Sequence, residues 1–166
     1  MKVSFDVDSK QGDVYRVTLS SGCDAFFVQE DISEIVGNNV EIVEIDLERV
    51  NGKGITNTNI LSKIAEGIAR YFESNKKAVL YYYCDDLNDV PMSQRKEDMW
   101  PQEYRSRLFS VMYNRYIAIN NIQDMMDVIF KIDQDDRPLF MHLIARQCHA
   151  RYVELLKAYI IEHYGK

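Results

Sequence analysis

Residues 78–84 read Ala-Val-Leu-Tyr-Tyr-Tyr-Cys, a short run that is apolar at nearly every position. A strand covered by other elements on both faces has this pattern, because neither of its faces meets water. The run therefore predicts a central, buried β-strand. Before it, over about residues 59–74, the apolar side chains fall in one sector of a helical wheel and the charged ones fall opposite. This second pattern predicts an amphipathic helix laid on the core.

The first fifty residues predict an antiparallel sheet of about four strands. Apolar residues alternate with polar ones, as in Val3, Phe5 and Val7, and glycine-containing corners such as Gly12 separate the alternating stretches. A short helical turn over 31–36 interrupts the pattern. The predicted strands cover residues 3–7, 15–19, 25–28 and 40–47.

The region after the central strand predicts two further helices. Pro101 is well placed as the first residue of a helix over about 101–116. Asp135, Asp136 and Pro138 predict the start of a long final helix that ends near residue 164, while residues 117–132 suit a strand or a helix. No repeat or domain boundary is apparent, so we expect residues 1–166 to form a single α+β domain.

Charge and cysteine content restrict the class of protein. The formal net charge is −6, and residues 1–50 hold eleven acidic side chains against four basic ones. Such a surface repels nucleic acid and favours a basic protein partner. The scattered Cys23, Cys84 and Cys148 suit a reducing compartment. With no secretory leader or membrane-spanning stretch in view, the expected location is cytoplasmic and no membrane partner is expected.

Two arginines depart from the pattern of the 101–116 helix. Arg105 and Arg115 fall in its apolar sector, where a guanidinium needs an acidic or carbonyl partner. Asp85 and Asp86 directly follow the central strand, at the kind of strand end where open sheets place ligands. We therefore predict an ion pair of Arg105 with one of these aspartates, close to Cys84.

This predicted pair has two interpretations. It could form an anion or substrate pocket, or it could be a buried ion pair that only fixes how the helix docks on the strand. No cofactor is expected, because the chain lacks a glycine-rich phosphate loop, and no metal site is expected from the solvated aspartates after the central strand. The candidate pocket consists of Cys84, Asp85, Asp86, Tyr104, Arg105 and Arg107.

Two other groups of residues have side chains suited to binding. His142, His149 and His163 are predicted on one side of the long final helix, spaced too widely to share a metal ion. Segment 95–115 mixes basic residues with aromatic ones, which is typical of single-stranded nucleic-acid binding, but acidic residues interrupt it.

Several short stretches together resemble a known family. They are Gly-Asp-Val-Tyr-Arg-Val at 12–17, the helix at 60–72, the central strand with its two aspartates at 79–86, and Arg-Ser-Arg-Leu-Phe at 105–109. In this order they resemble a domain-of-unknown-function family of small bacterial proteins of the Bacteroidetes type, over about residues 1–116. The resemblance implies a bacterial cytoplasmic protein without an assigned activity, and it carries over no catalytic residue.

Three functions follow as hypotheses. The first is a small binding or interaction protein, like an immunity protein or an antitoxin, that masks a basic partner. The alternative is a phosphate-ester hydrolase or nuclease-like enzyme that uses Asp85, Asp86 and Arg105. The third is nucleic-acid binding through segment 95–115, which the acidic net charge disfavours.

Overall fold

The structure, a computed structural model, describes residues 1–21, 27, 29–52, 58–84, 99–134 and 137–165. Within these ranges it has an α+β fold in which one mixed sheet carries helices on both faces. In chain order the elements are β1 Lys2–Asp8, β2 Val14–Ser21, α1 Gln29–Val36, β3 Glu41–Asn51, α2 Thr58–Ser74, β4 Ala78–Cys84, α3 Pro101–Ile119, β5 Met125–Gln134, β6 Arg137–Arg146, a 3₁₀ turn Gln147–His149 and α4 Ala150–Tyr164.

The six strands follow the order β1-β2-β3-β4-β6-β5. Strands β1 to β3 form an antiparallel meander, and β5 and β6 form an antiparallel hairpin whose β6 pairs with β4. The only parallel pair among the described strands is β3–β4, and α2 supplies the crossover that such a pair requires.

Two apolar clusters hold the layers together. One lies between the sheet and α2 with α3, and the other lies between the sheet and α1 with α4. Strand β4 belongs to both clusters, since Leu80 and Tyr82 face α2 and α3 while Val79 and Tyr81 face α1 and α4. The predictions of a central buried strand and of the amphipathic helix before it are confirmed.

The predicted long final helix is wrong. Residues 137–146 form β6, and α4 begins only at Ala150, after the 3₁₀ turn. Strand β6 lies between β4 and β5 and is buried on both faces from Met141 to Ala145, so it shows no alternation that would distinguish it from a helix. The ambiguous region before it contributes β5.

The other predicted elements differ less from those of the structure. The described part of residues 1–51 contains three strands and α1, so the helical turn over 31–36 is confirmed. The fourth predicted strand, over 25–28, falls largely outside the described residues. Helix α3 extends to Ile119, slightly beyond its predicted end.

Arg146 joins the end of β6 to the end of α2. Its guanidinium lies over the ring of Phe72, 4.0 Å from the centroid, and donates hydrogen bonds to the carbonyls of Phe72, Asn75 and Lys76. The last carbonyls of a helix have no partner within the helix. Arg146 therefore adds a charged donor to carbonyls of Phe72 and Asn75 that already accept local backbone hydrogen bonds, and it also binds the carbonyl of Lys76.

Candidate functional site

Helix α3 buries polar side chains together with apolar ones. Its inward residues are Gln102, Arg105, Ser106, Phe109 and Met112. Arg105 is 5% exposed, so the prediction that its side chain turns inward is confirmed. Arg115 is exposed, which contradicts the same prediction for that residue. It borders the surface groove between α2 and α3, where a long arginine side chain can cover apolar surface and still hold its charge in water.

The predicted partners of Arg105, Asp85 and Asp86, lie outside the described residues. The ion pair of Arg105 with one of them therefore stays a prediction. Cys84 is the buried last residue of β4, and Tyr104 is half-buried. The structure does not bring Arg107 to the same place, because Arg107 is exposed and pairs with Glu103 at 2.9 Å.

Arg105 lines a cleft between α2, α3 and the sheet. The cleft has about 490 Å³ of empty space, part of it open to solvent, and its walls are mostly apolar. Arg49 and Tyr15 also reach it, with the Arg49 guanidinium 5.4 Å from the Tyr15 ring centroid and donating to the Tyr15 hydroxyl at 3.0 Å. The space that the centre of a water molecule can occupy in the cleft is only about 30 Å³, enough for one or two waters, so a small molecule fits only if the walls move.

A buried polar network that the sequence did not predict lies beside Arg105. Ser106 on α3 places its Oγ 2.7 Å from Nε2 of His142 on β6. The other ring nitrogen of His142, Nδ1, lies 3.1 and 3.2 Å from the two carboxylate oxygens of Asp127 on β5. His142 is 0% exposed, Ser106 is 4% exposed, and the side chain of Asp127 is 6% exposed. Three elements therefore bring a hydroxyl, an imidazole and a carboxylate into one chain of hydrogen bonds.

Aromatic rings enclose this network. The Phe109 ring centroid is 4.9 Å from that of His142, and Tyr82 stacks on Phe109 at 4.4 Å. Both Phe109 and Tyr82 also line the Arg105 cleft. Burial and then the charges of Asp127 and Asp124 raise the pKa of Tyr113 from 10.0 to about 12.

The network was not predicted, because the sequence pattern places His142 on a helix. The available signal was a pair of apolar runs, at 128–132 and 139–145, separated by a short polar stretch. That arrangement is typical of a hairpin. A strand assignment would have put His142 in a buried position, where the imidazole needs hydrogen-bond partners.

The other two histidines lie apart from His142. Burial, and then the charge of Arg146, lowers the pKa of His149 in the 3₁₀ turn. His163 stacks on Tyr159 at the exposed end of α4. Within the described ranges, no three histidine, cysteine or acidic side chains are grouped so that they could hold a metal ion.

A second candidate surface is the face of β1–β3 turned away from α2. Helices α1 and α4 pack over β4, β5 and β6 and reach Ile42 at the start of β3, and the described residues place no helix over the rest of β1–β3 on this side. At the margin, Glu44 is half-buried and accepts a hydrogen bond from the Tyr81 hydroxyl at 3.1 Å. We call it the acidic sheet face. Its cross-strand rows, each running from β1 through β2 to β3, are Asp6-Arg16-Glu48, Ser4-Thr18-Asp46 and Lys2-Ser20-Glu44, with Asp8 at the end of β1.

Carboxylates dominate the acidic sheet face. It carries five of them against the two cations Lys2 and Arg16. Arg16 forms a two-point ion pair with Asp6, at 2.9 and 3.2 Å, and this hydrogen bonding lowers the pKa of Asp6. The excess of carboxylates matches the acidic bias of the N-terminal sequence.

Segment 95–115 does not present a continuous basic surface in its described part. Arg105 is buried, Arg107 is paired with Glu103, and Tyr113 is half-buried. Arg95 and Lys96 lie outside the described residues. The described part of the chain also has no helix that is long and apolar enough to span a bilayer.

Comparisons with protein-family models, with curated proteins and with solved structures give no match.

Proposed function

We propose that this chain is a small cytoplasmic bacterial binding protein that masks a basic partner protein, in the manner of an immunity protein or an antitoxin. The observation that carries the proposal is the acidic sheet face, where five carboxylates lie on three adjacent strands and four of them are exposed. The bacterial source and the cytoplasmic location belong to the proposal. Cys148 is an exposed free thiol, which suits that location.

The arrangement of the charges supports a protein partner. Fixed carboxylates on a regular sheet create a potential of one sign over a broad surface, which speeds association with a surface of opposite charge. Asp46 and Glu48 are both exposed on β3, so they can meet a partner without any change in the fold. Hydrolysis of a phosphate ester by Asp85, Asp86 and Arg105 depends on residues outside the described ranges, and the described geometry adds no support for it.

The test is a comparison of two double variants that change the net charge equally. Asp46→Asn with Glu48→Gln neutralises two of the five carboxylates of the acidic sheet face, whereas Glu154→Gln with Glu162→Gln neutralises two exposed carboxylates on α4. Each variant, and the wild type, is immobilised and exposed to a lysate of the organism that encodes the chain. Any protein retained by the wild type and the α4 variant, but lost from the sheet variant, is purified for measurement of its Kd.

We expect that partner to be basic, and its Kd to weaken at least about tenfold in the sheet variant, which corresponds to about 1.4 kcal/mol. The Kd should also weaken steeply as salt is added, because salt screens exposed charges. A partner lost equally from both variants, or binding that salt does not change, would contradict the proposal.

A further inference from the structure

We infer that Ser106 is an activated nucleophile, and that the chain accepts an acyl group on Ser106 from small uncharged esters and releases it to water. This activity is independent of the acidic sheet face. The inference rests on the hydrogen-bonded order of Ser106, His142 and Asp127 and on the cleft next to them.

The carboxylate of Asp127 sets the direction of the hydrogen bonds in the network. Asp127 can only accept hydrogen bonds, so in the neutral ring Nδ1 of His142 carries the hydrogen and donates it to Asp127. Nε2 is then the bare nitrogen, and it accepts the hydroxyl hydrogen of Ser106 at 2.7 Å. Serine hydrolases use this tautomer and this order of groups to make a hydroxyl nucleophilic.

Packing alone does not require these three polar groups. Apolar side chains of similar shape fill such a position at little or no cost in stability, whereas buried polar groups must all find partners. On the same face of the sheet, α2 docks with apolar side chains such as Ile60, Ile64 and Ile68. Helix α3 places Ser106 where an apolar residue would serve for docking, and it does so against a histidine that is already oriented by a carboxylate.

The nearest cleft lies between α2 and α3, and Ser106, His142 and Asp127 are not among its lining residues. Arg105 lines the cleft and directly precedes Ser106, and Phe109 lines it with its ring centroid 4.9 Å from that of His142. Because Ser106 is 4% exposed, the Phe109 ring and the cleft walls must move before a substrate reaches Ser106 Oγ. The apolar walls favour a short acyl or aryl group without charge.

The reaction balances without any other reagent than water. Ser106 Oγ attacks the ester carbonyl carbon as its proton passes to Nε2 of His142, and an Oγ–C bond forms. The ester C–O bond then breaks, and the leaving alcohol takes the proton from His142. Water repeats the sequence on the acyl-serine, which releases the carboxylic acid and restores the Ser106 hydroxyl.

The experiment uses the full chain and a fluorophosphonate probe, which forms an Oγ–P bond with an activated serine and releases fluoride. Peptide mass spectrometry of the product identifies the modified residue. We expect one adduct on Ser106 in the wild type and no adduct in Ser106→Ala. Ser110→Ala is the matched control, because Ser110 lies one turn further along α3 and outside the network, and it should react at the wild-type rate.

Asp127 is a positioning residue in this proposal, because it acts through His142. Asp127→Asn should slow labelling at least about 100-fold, while circular dichroism shows that the variant is folded. Asp127→Glu, which keeps the carboxylate, should recover part of the rate. Phe109→Leu should speed labelling, because a smaller side chain opens the route from the cleft.

Several outcomes would overturn the inference. They are a wild type that millimolar probe leaves unmodified, an adduct on another side chain, or labelling of folded Asp127→Asn at the wild-type rate. If Asp127→Asn does not fold, the labelling of the wild type and of Ser110→Ala decides whether the inference holds. The variant Asp46→Asn with Glu48→Gln should label at the wild-type rate, so failure of this inference and failure of the proposed function are distinguishable.

Discussion

Helices α2 and α3 cover the same face of the sheet by different means. The inward residues of α2 are apolar, among them Ile60, Ile64 and Phe72. Helix α3 turns Gln102 and Ser106 inward as well, where Gln102 donates to the carbonyl of Pro138 at 2.8 Å and Ser106 meets His142. Burial of apolar surface has no preferred direction, whereas hydrogen bonds fix distance and angle. Burial of apolar surface thus holds α2 on the sheet, whereas hydrogen bonds also fix the position of α3 against the β5–β6 hairpin.

The largest effect is expected on the α2 side. Ile64 is almost completely buried, so Ile64→Ala should lower the free energy of unfolding by about 2–5 kcal/mol through lost apolar contact and a residual cavity. Urea denaturation monitored by circular dichroism measures it. Glu66→Ala, at an exposed position of the same helix, should stay within about 0.5 kcal/mol of the wild type. A loss below about 1 kcal/mol for Ile64→Ala would mean that α2 does not depend on this contact.

A smaller but more specific effect is expected under α3. Ser106→Ala and Asp127→Asn both act on His142, so their combined effect on the free energy of unfolding should differ from the sum by about 0.5–3 kcal/mol. On α2, Ile60→Val and Ile68→Val lie about 12 Å apart along the helix and should add within about 0.5 kcal/mol. The two double-mutant cycles use the same denaturation assay. If the changes in the free energy of unfolding add equally well in both cycles, α2 and α3 do not differ in the way they are held on the sheet.

The smallest effect concerns the pH dependence of the α3 side. Tyr113 has a pKa of about 12 in the folded chain, against 10.0 ordinarily. Between these values the unfolded chain loses the tyrosine proton first, so its contribution to stability is complete below about pH 10 and is lost as the pH rises toward 12. The half-exposed position of Tyr113 keeps the effect small, because water screens its surroundings.

Tyr113→Phe should therefore flatten the alkaline decline in melting temperature relative to the wild type. Asp124→Asn should lower the pKa of Tyr113, because it removes one of the nearby negative charges. The absorbance of ionised tyrosine during an alkaline titration measures that change. An identical alkaline decline in Tyr113→Phe and the wild type would contradict the assignment.

The same contrast explains what could be predicted from the sequence. Helix α2 and strand β4 were predicted correctly, because a one-sided and a two-sided apolar pattern are local features. Arg105 was recognised because a charge interrupts an apolar sector. Strand β6 was missed, since burial on both faces hides its period and the preceding acidic residues and Pro138 resemble the start of a helix.

The Ser106 network could not be predicted for a different reason. Its members lie on α3, β5 and β6, and the sequence separation of Ser106 from His142 is 36 residues. No local spacing encodes that meeting, which depends on the order β4-β6-β5 in the sheet. The acidic sheet face could be predicted only in part. Its excess of carboxylates was visible in the sequence, but their alignment in cross-strand rows depends on the strand register.

The contact between Arg146 and the end of α2 bears on the order of events during synthesis. The carbonyls of Phe72, Asn75 and Lys76 receive a side-chain donor from a residue about seventy positions later in the chain. While the ribosome is still making α3 and β5, that helix end has only its local backbone hydrogen bonds, from Asn75 to Phe72 and from Ala78 to Asn75. Release of β6 from the exit tunnel then supplies the cation, so a nascent chain truncated before residue 146 should be more readily cleaved by protease near Ser74 than the finished protein.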